Sequence, residues 1–286
     1  MLGSFIAIEG FGIVFLTTVR SSLIFNFSYL FLDFSYSINI FCKCLSVSYN
    51  KMLERLSEAF KIQRQFTENA AHELRTPLSL MQVQLDLYNS GKHPGNDADT
   101  IQTIKMVTEQ NERLSKMVKT LLDMSELQTV GRDETIIVNA LVDEVLADLE
   151  PLAQEKNIKL IGKCKDVNMV GSDILIYRLV YNLVENAIKY NHSGGQVSVE
   201  AYQREKQVYL SVKDTGNGIP EELKERVFEP FFRVDKSRSR ELGGVGLGLA
   251  LVNEIVRVHD GSIAIRPNPS GGTIIEVEFA VNRTTA

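Results

Sequence analysis

The chain has 286 residues, room for about two domains, and its 44% apolar and 23% charged content suits globular structure and argues against disorder along the whole length. A formal charge of −5 gives nucleic-acid binding no electrostatic support. The three cysteines (Cys42, Cys44 and Cys164) form no C-x-x-C pair, which argues against a disulfide framework or a zinc site, and the soluble part is expected to face a reducing compartment.

Residues 1–45 are apolar and rich in Phe, with only Glu9, Arg20, Asp33 and Lys43 charged. The Ser21–Cys42 run is about as long as a ~30 Å hydrocarbon core requires, though Asp33 interrupts it at a cost. Lys43, Lys51 and Arg55 follow, so the positive-inside rule puts the remainder in the cytoplasm. The expectation is a membrane anchor; the alternative is a truncated N-terminus that spans nothing. A secretory signal is not expected, because a basic n-region and a small-residue cleavage site are both missing. No extracellular sensing domain fits in so short a segment.

From Ser46 apolar residues recur at steps of three and four (Leu53, Leu56, Phe60, Phe66, Ala70, Leu74, Leu78, Met81, Leu85, Tyr88), the seam of a bundle or coiled coil. Asn89–Asp97 is dense in breakers and reads as a loop, in which His93 is simply solvated. Ile101, Ile104, Val107, Leu114, Met117, Val118, Leu121 and Leu122 mark a second helix. Two antiparallel helices bury one face poorly, so a second copy is expected to complete a four-helix bundle as a homodimer. Within the first helix, FTENAAHELRTPLSL (residues 66–80) sets His72 beside Glu73, with Thr76 one turn on, on the same face. Pro77 lacks an N–H and is expected to loosen or kink the helix there. Either this is a site for chemistry on an imidazole nitrogen, or His72 is an ordinary exposed histidine. A zinc H-E-x-x-H motif is excluded, because position 76 is Thr.

Residues 131–286 read as α+β. Strands are expected over 135–138, 158–162, 167–170, 196–203, 207–212, 262–266 and 273–279. Helices are expected over 139–156, capped by Asn139 and strained at Pro151, over 172–190, capped by Ser172, and from the 242–250 glycine run to about His259. The result is a two-layer sandwich. In YNLVENAIKYN, Asn182, Glu185, Asn186 and Lys189 form one polar stripe, either a solvated face or a seat for hydrated Mg²⁺ and phosphates. Asp214 closes a strand before Gly216 and Gly218; this is a common turn, or a site where an acid reads an exocyclic amine beside a flat ring. The run LGGVGLGLA (242–250) opening a helix is a candidate anion cradle, a weak signal when it stands alone; the Rossmann version of such a loop fails for want of a preceding strand. Between the glycine sets, Phe228, Phe231 and Phe232 precede Arg233, Lys236, Arg238 and Arg240, a cationic lid or a solvated basic loop.

Taken together, the motifs resemble those of bacterial two-component sensor histidine kinases, over roughly Leu45–Phe279. AHELRTP (71–77) is similar to the H-box, NLVENAIKYN (182–191) to the N-box and DTGNGIP (214–220) to the G1 box. FEPFFR (228–233) is similar to the F-box and GGVGLGLALV (243–252) to the G2 box. Leu45–Phe66 is similar to the end of a HAMP linker. The resemblance implies a linker helix (46–65), a dimerising phosphoacceptor hairpin (66–130) and a GHKL-type ATP-binding domain (131–286); the apolar segment 1–45 lies before it and departs from the family, which has a sensing region between two spans and a complete HAMP there.

The resemblance also implies roles. His72 is the phosphoacceptor for ATP and Glu73 its general base. Asn186 is the Mg²⁺ ligand, with Asn182, Lys189 and Tyr190 around the nucleotide. Asp214 reads the adenine amine beside Gly216 and Gly218. Gly244, Gly246 and Gly248 line the phosphates, and Arg233 and Lys236 neutralise charge from the lid. Related GHKL ATPases carry a water-activating carboxylate at the place of Asn182; an amide cannot take that proton, which favours transfer to His72 over hydrolysis. Thr76 resembles the threonine of members that also dephosphorylate their partner. That partner is implied to be a separate response regulator with an acceptor aspartate.

Overall fold

The computed structural model describes residues 3–89, 97–127, 129–235 and 244–281, with backbone only for 3–42, 44 and 97–99. The expected loop histidine His93 and the lid residue Lys236 lie outside the described residues, as do Arg238 and Arg240. Two compact units are present, residues 1–67 and 68–286.

Helix α1 is Gly3–Asn89 and continues past Pro77, which lies inside it. Among the described residues of 1–67, this helix is the one element. Among the described residues no helix is long and apolar enough to cross a membrane. Helix α2 is Asp97–Glu126. Glu73 and Arg113 each lie sixteen residues from the helix end at the intervening loop, 89 less 73 and 113 less 97. Their side chains are ion-paired at 3.5 Å, the register of an antiparallel hairpin.

The remainder is a sandwich. Strands β2 (Lys159–Cys164), β4 (Gln196–Arg204), β5 (Gln207–Asp214), β7 (Thr273–Ala280) and β6 (Ser262–Pro267) form one sheet in the order β2-β4-β5-β7-β6. Only β2 and β4 run parallel. β1 (Glu134–Ile137) pairs antiparallel with β3 (Asn168–Gly171) as a separate two-stranded sheet. Strand alternation separates the faces. Val197, Val199 and Ala201, Val208, Leu210 and Val212, and Ile275, Val277 and Phe279 face the core. On the other face Tyr202 stacks on Tyr209 and Lys213 pairs with Glu200 at 2.6 Å. Helices α3 (Val138–Glu155), α4 (Asp173–Lys189) and α5 (Gly248–Val258) cover the core face. α4 buries Leu175, Ile176, Leu179, Val180, Leu183, Val184 and Ile188, each full burial worth roughly 1.5–3 kcal/mol.

Two expected caps are corrected. Asn139 does not begin α3. The chain passes directly from β1 into the helix at Ile137 because the Val138 N–H is taken by the Val167 carbonyl at 3.0 Å, and the Asn139 amide donates to Asp166 instead. Ser172 does stand at the start of α4, but its hydroxyl caps nothing; its backbone N–H donates to Nε2 of buried His259 at 3.1 Å. α3 also continues through Pro151 to its end four residues on.

Candidate active site

A cavity of about 300 Å³ opens where α4, the end of β5, the 227–235 segment and the start of α5 meet. Asn182, Asn186, Lys189 and Tyr190 line it from α4 and its C-terminus, Asp214 and Gly218 from the turn after β5, and Arg233, Gly244, Gly246 and Gly248 from the opposite side. The 3.6-residue period explains the α4 wall: residues four apart share a face, so the helix presents its apolar side to the sheet and its polar stripe to the cavity. Gly248 faces that stripe, and a Cβ there would stand 3.0 Å from Asn182 Oδ1 and 3.5 Å from Asn186 Nδ2. Gly216 does not line the cavity; it lies against the Tyr190 carbonyl, 2.5 Å from where its Cβ would be.

Asp214 is held by backbone. Its Oδ1 accepts from the N–H groups of Gly216 (2.8 Å) and Thr273 (3.2 Å), while its carbonyl accepts from the Asn268 amide at 2.6 Å. Oδ2 has no protein partner among the described residues. Burial pushes the Asp214 carboxyl above its ordinary range, and the two N–H donors offset this only in part. The β6–β7 hairpin makes this brace by turning at Gly272, with φ of +89° and room for no side chain: a Cβ would meet the Asp214 carbonyl at 2.3 Å. Asn268, Gly272 and Thr273 escaped the sequence reading, where the Asn-Pro-Ser-Gly-Gly run signalled only a hairpin.

The opposite wall is similarly locked. The Phe231 N–H donates to the Gly246 carbonyl at 2.7 Å. Gly246 has φ of +79°, and a Cβ there would stand 2.7 Å from the Phe232 carbonyl. The Arg226 guanidinium sits 4.4 Å over the Phe232 ring.

Charge in the cavity centres on Glu185, 8% exposed. Lys189 one turn on is 2.8 Å away, and Lys116 of α2 is 2.5 Å away. Burial opposes its ionisation, yet the two ammonium groups hold its carboxyl below the ordinary glutamate range. Lys116 and Thr120 also line the cavity; neither carried a sequence signal beyond a polar helix position.

His72, Glu73 and Thr76 lie on α1 and do not line the cavity. His72 is exposed. The Thr76 hydroxyl donates back to the His72 carbonyl at 3.2 Å, while Pro77 is buried. Glu73 joins this stretch to the cavity: its Oε1 accepts from Arg233 at 2.6 Å, and its Oε2 pairs with Arg113. Arg233, 9% exposed, also donates to the Gly244 carbonyl at 3.3 Å. Among the described residues no group of three or more His, Cys, Asp or Glu side chains forms a metal cluster.

A helical region bearing His72 followed by an α/β sandwich with this cavity is the architecture of histidine kinases. Residues 62–130 match the His Kinase A (phospho-acceptor) domain, and residues 171–283 match the histidine kinase-, DNA gyrase B-, and HSP90-like ATPase. The chain is 34% identical over 245 residues to the sensor protein CutS of Streptomyces coelicolor, covering 84% of this chain and 58% of that protein. It is 32% identical over 244 residues to the signal transduction histidine-protein kinase ArlS of Staphylococcus aureus, covering 82% of this chain and 52% of that one. The structure is similar to that of the Acinetobacter baumannii histidine kinase AdeS, with a TM-score of 0.61, 25% identity and coverage of 74% and 98%. It is also similar to histidine kinase ThkA in complex with the response regulator protein TrrA, with a TM-score of 0.66, 25% identity and coverage of 80% and 65%. The chain thus carries the two domains of a histidine kinase and is similar over more than four fifths of its length to sensor kinases of two-component systems. It spans a little over half the length of the curated relatives it matches.

Proposed function

We propose that the chain is an ATP-dependent protein-histidine kinase that phosphorylates itself on His72 and passes the phosphoryl group to an aspartate of a separate response regulator. The observation carrying this reading is Arg233, a wall residue of the cavity ion-paired with Glu73, the neighbour of His72. One side chain thus links the nucleotide wall to the acceptor stretch.

In this reading Asp214 accepts from the adenine amine, Tyr190 and Gly218 flank the base, and the Gly244–Gly248 backbone and Lys189 hold the phosphates. The space kept open by Gly248 beside Asn182 and Asn186 fits Mg²⁺, which takes few protein oxygens and keeps its waters. Asn186 would hold the ion, which supplies neutralisation of phosphate charge. A ring nitrogen of His72 attacks the γ-phosphorus. The bond to the β,γ-bridging oxygen breaks, ADP leaves with that electron pair, and Glu73 takes the imidazole proton once freed from Arg233. Asn182, an amide, cannot activate water. Thr76 serves a second, phosphatase activity by orienting water toward the regulator's aspartyl phosphate.

A homodimer is part of the proposal, supported by the exposed Leu78, Leu85, Ile101, Ile104, Val118 and Leu122 on α1 and α2. Membrane anchoring through residues 1–45, with the catalytic part in the cytoplasm, rests on the composition and flanking charge of that segment. To test the central claim, the chain is incubated with γ-labelled ATP and Mg²⁺. Acid-labile, alkali-stable label that disappears in His72→Gln is expected. Free phosphate without label means an ATPase, and neither product means an inactive scaffold.

A further inference from the structure

The polar stripe of α4 carries a charge problem that the helix alone does not solve. Glu185 is buried in the wall of a cavity read as a polyphosphate site. Lys189 pairs with it at 2.8 Å from the next turn, and the two together are neutral, giving an anion no net attraction. The second cation comes from elsewhere: Lys116, 69 residues earlier on α2, places Nζ 2.5 Å from the same carboxylate oxygen while lining the same cavity. With it the cluster carries one net positive charge. A second ion pair, Arg178–Asp123 at 2.9 Å, ties α2 to α4 two turns from Lys116 and holds the helix in place.

We propose that Lys116 is a positioning residue of the nucleotide site, contributed by the acceptor region, which converts the neutral Glu185–Lys189 pair into a net cation selective for the phosphate charge of the ligand. The inference rests on the nucleotide reading above. Its consequence is that phosphate affinity requires α2 in contact with the ATP-binding sandwich.

The test compares two probes, MgATP and uncharged adenosine, by titration calorimetry on the whole chain. Lys116→Met is expected to weaken MgATP about tenfold, an effect typical of losing one nearby charge at a partly buried site. Adenosine should bind within about twofold of wild type, because it carries no phosphate to be attracted. Lys116→Arg keeps the charge and should keep the affinity. The double variant Lys116→Met with Glu185→Gln leaves Lys189 as one net positive charge and should recover most of the lost MgATP affinity. Unchanged MgATP binding in Lys116→Met would overturn the inference. So would equal loss of both probes, the mark of a merely structural role, or absence of rescue in the double variant. A wild-type chain that binds neither probe removes the nucleotide reading itself, and the inference with it.

Discussion

Replacing Asp214 by Asn should move ligand affinity and protein stability in opposite directions. The amide oxygen can keep both backbone bonds that Oδ1 now accepts, from Gly216 and Thr273, so the turn after β5 has no reason to move. At the position of Oδ2 an acceptor becomes an NH₂ donor, facing the adenine amine, itself a donor. A hydrogen bond to a charged group contributes about 1.5–3 kcal/mol, so Kd for MgATP should rise about 10- to 150-fold. The fold gains instead, because burial already penalises the Asp214 carboxylate and a neutral amide removes that penalty. Titration calorimetry and thermal melting at pH 7 on the same preparation give both readings. An ATP affinity within threefold of wild type, or a melting temperature clearly lowered, would refute this assignment of Asp214. A 6-oxopurine triphosphate, whose O6 accepts, should lose less than ATP or gain.

The other predictions concern neighbouring parts of the site. Gly272→Ala should destabilise by about 1–3 kcal/mol from its positive φ alone, and should also weaken nucleotide binding by pushing Asp214 off its brace; denaturant melts and calorimetry read the two effects. MgATP affinity should fall on acidification at a higher pH than an ordinary aspartate would give, since protonated Asp214 cannot accept from the amine and its carboxyl is raised; Asp214→Asn should abolish that acid limb. The two carboxylates contribute oppositely to stability. The contribution of Asp214 is present below its ordinary pKa and lost as pH rises through the raised one, whereas that of Glu185 is present above the ordinary value and lost as pH falls through the lowered one. Thr76→Ala should keep autophosphorylation and slow dephosphorylation of the regulator at least tenfold, in the range of lost water-positioning groups; phosphatase at the normal rate would contradict the role given to Thr76.

Local patterns made most of the sandwich legible. Every strand expected in 131–286 is present within about two residues, because alternation and turn chemistry are short-range signals. The α4 stripe was readable for the same reason, its spacing of three and four placing Asn182, Asn186 and Lys189 on one wall. What escaped was long-range. The Arg233–Glu73 pair joins residues 160 apart and Lys116–Glu185 joins residues 69 apart, and neither leaves a trace in the composition around either partner. The caps show the same limit: Asn139 and Ser172 are good capping residues by type, but Asn139 lies inside the helix that starts after Ile137 and donates to Asp166, and Ser172 holds the cap position of α4 without a side-chain bond. Pro77 and Pro151 mark local strain by residue type, whereas helix continuity is decided by the turns on either side.

The Glu73–Arg233 pair carries a thermodynamic corollary. With one oxygen held by Arg233 and the other paired with Arg113, the Glu73 carboxylate is occupied by those two partners, so it can turn to the His72 ring only after Arg233 lets go. The cavity that borders Arg233 is where a polyphosphate would compete for the same guanidinium. Linkage makes such competition reciprocal: whatever factor a bound nucleotide contributes to freeing Glu73, removal of the Glu73 charge must return in nucleotide affinity. A protein disabled for transfer by Glu73→Gln would then bind its nucleotide more tightly than the active one, and the size of that gain would measure how firmly the resting chain holds its own base in check.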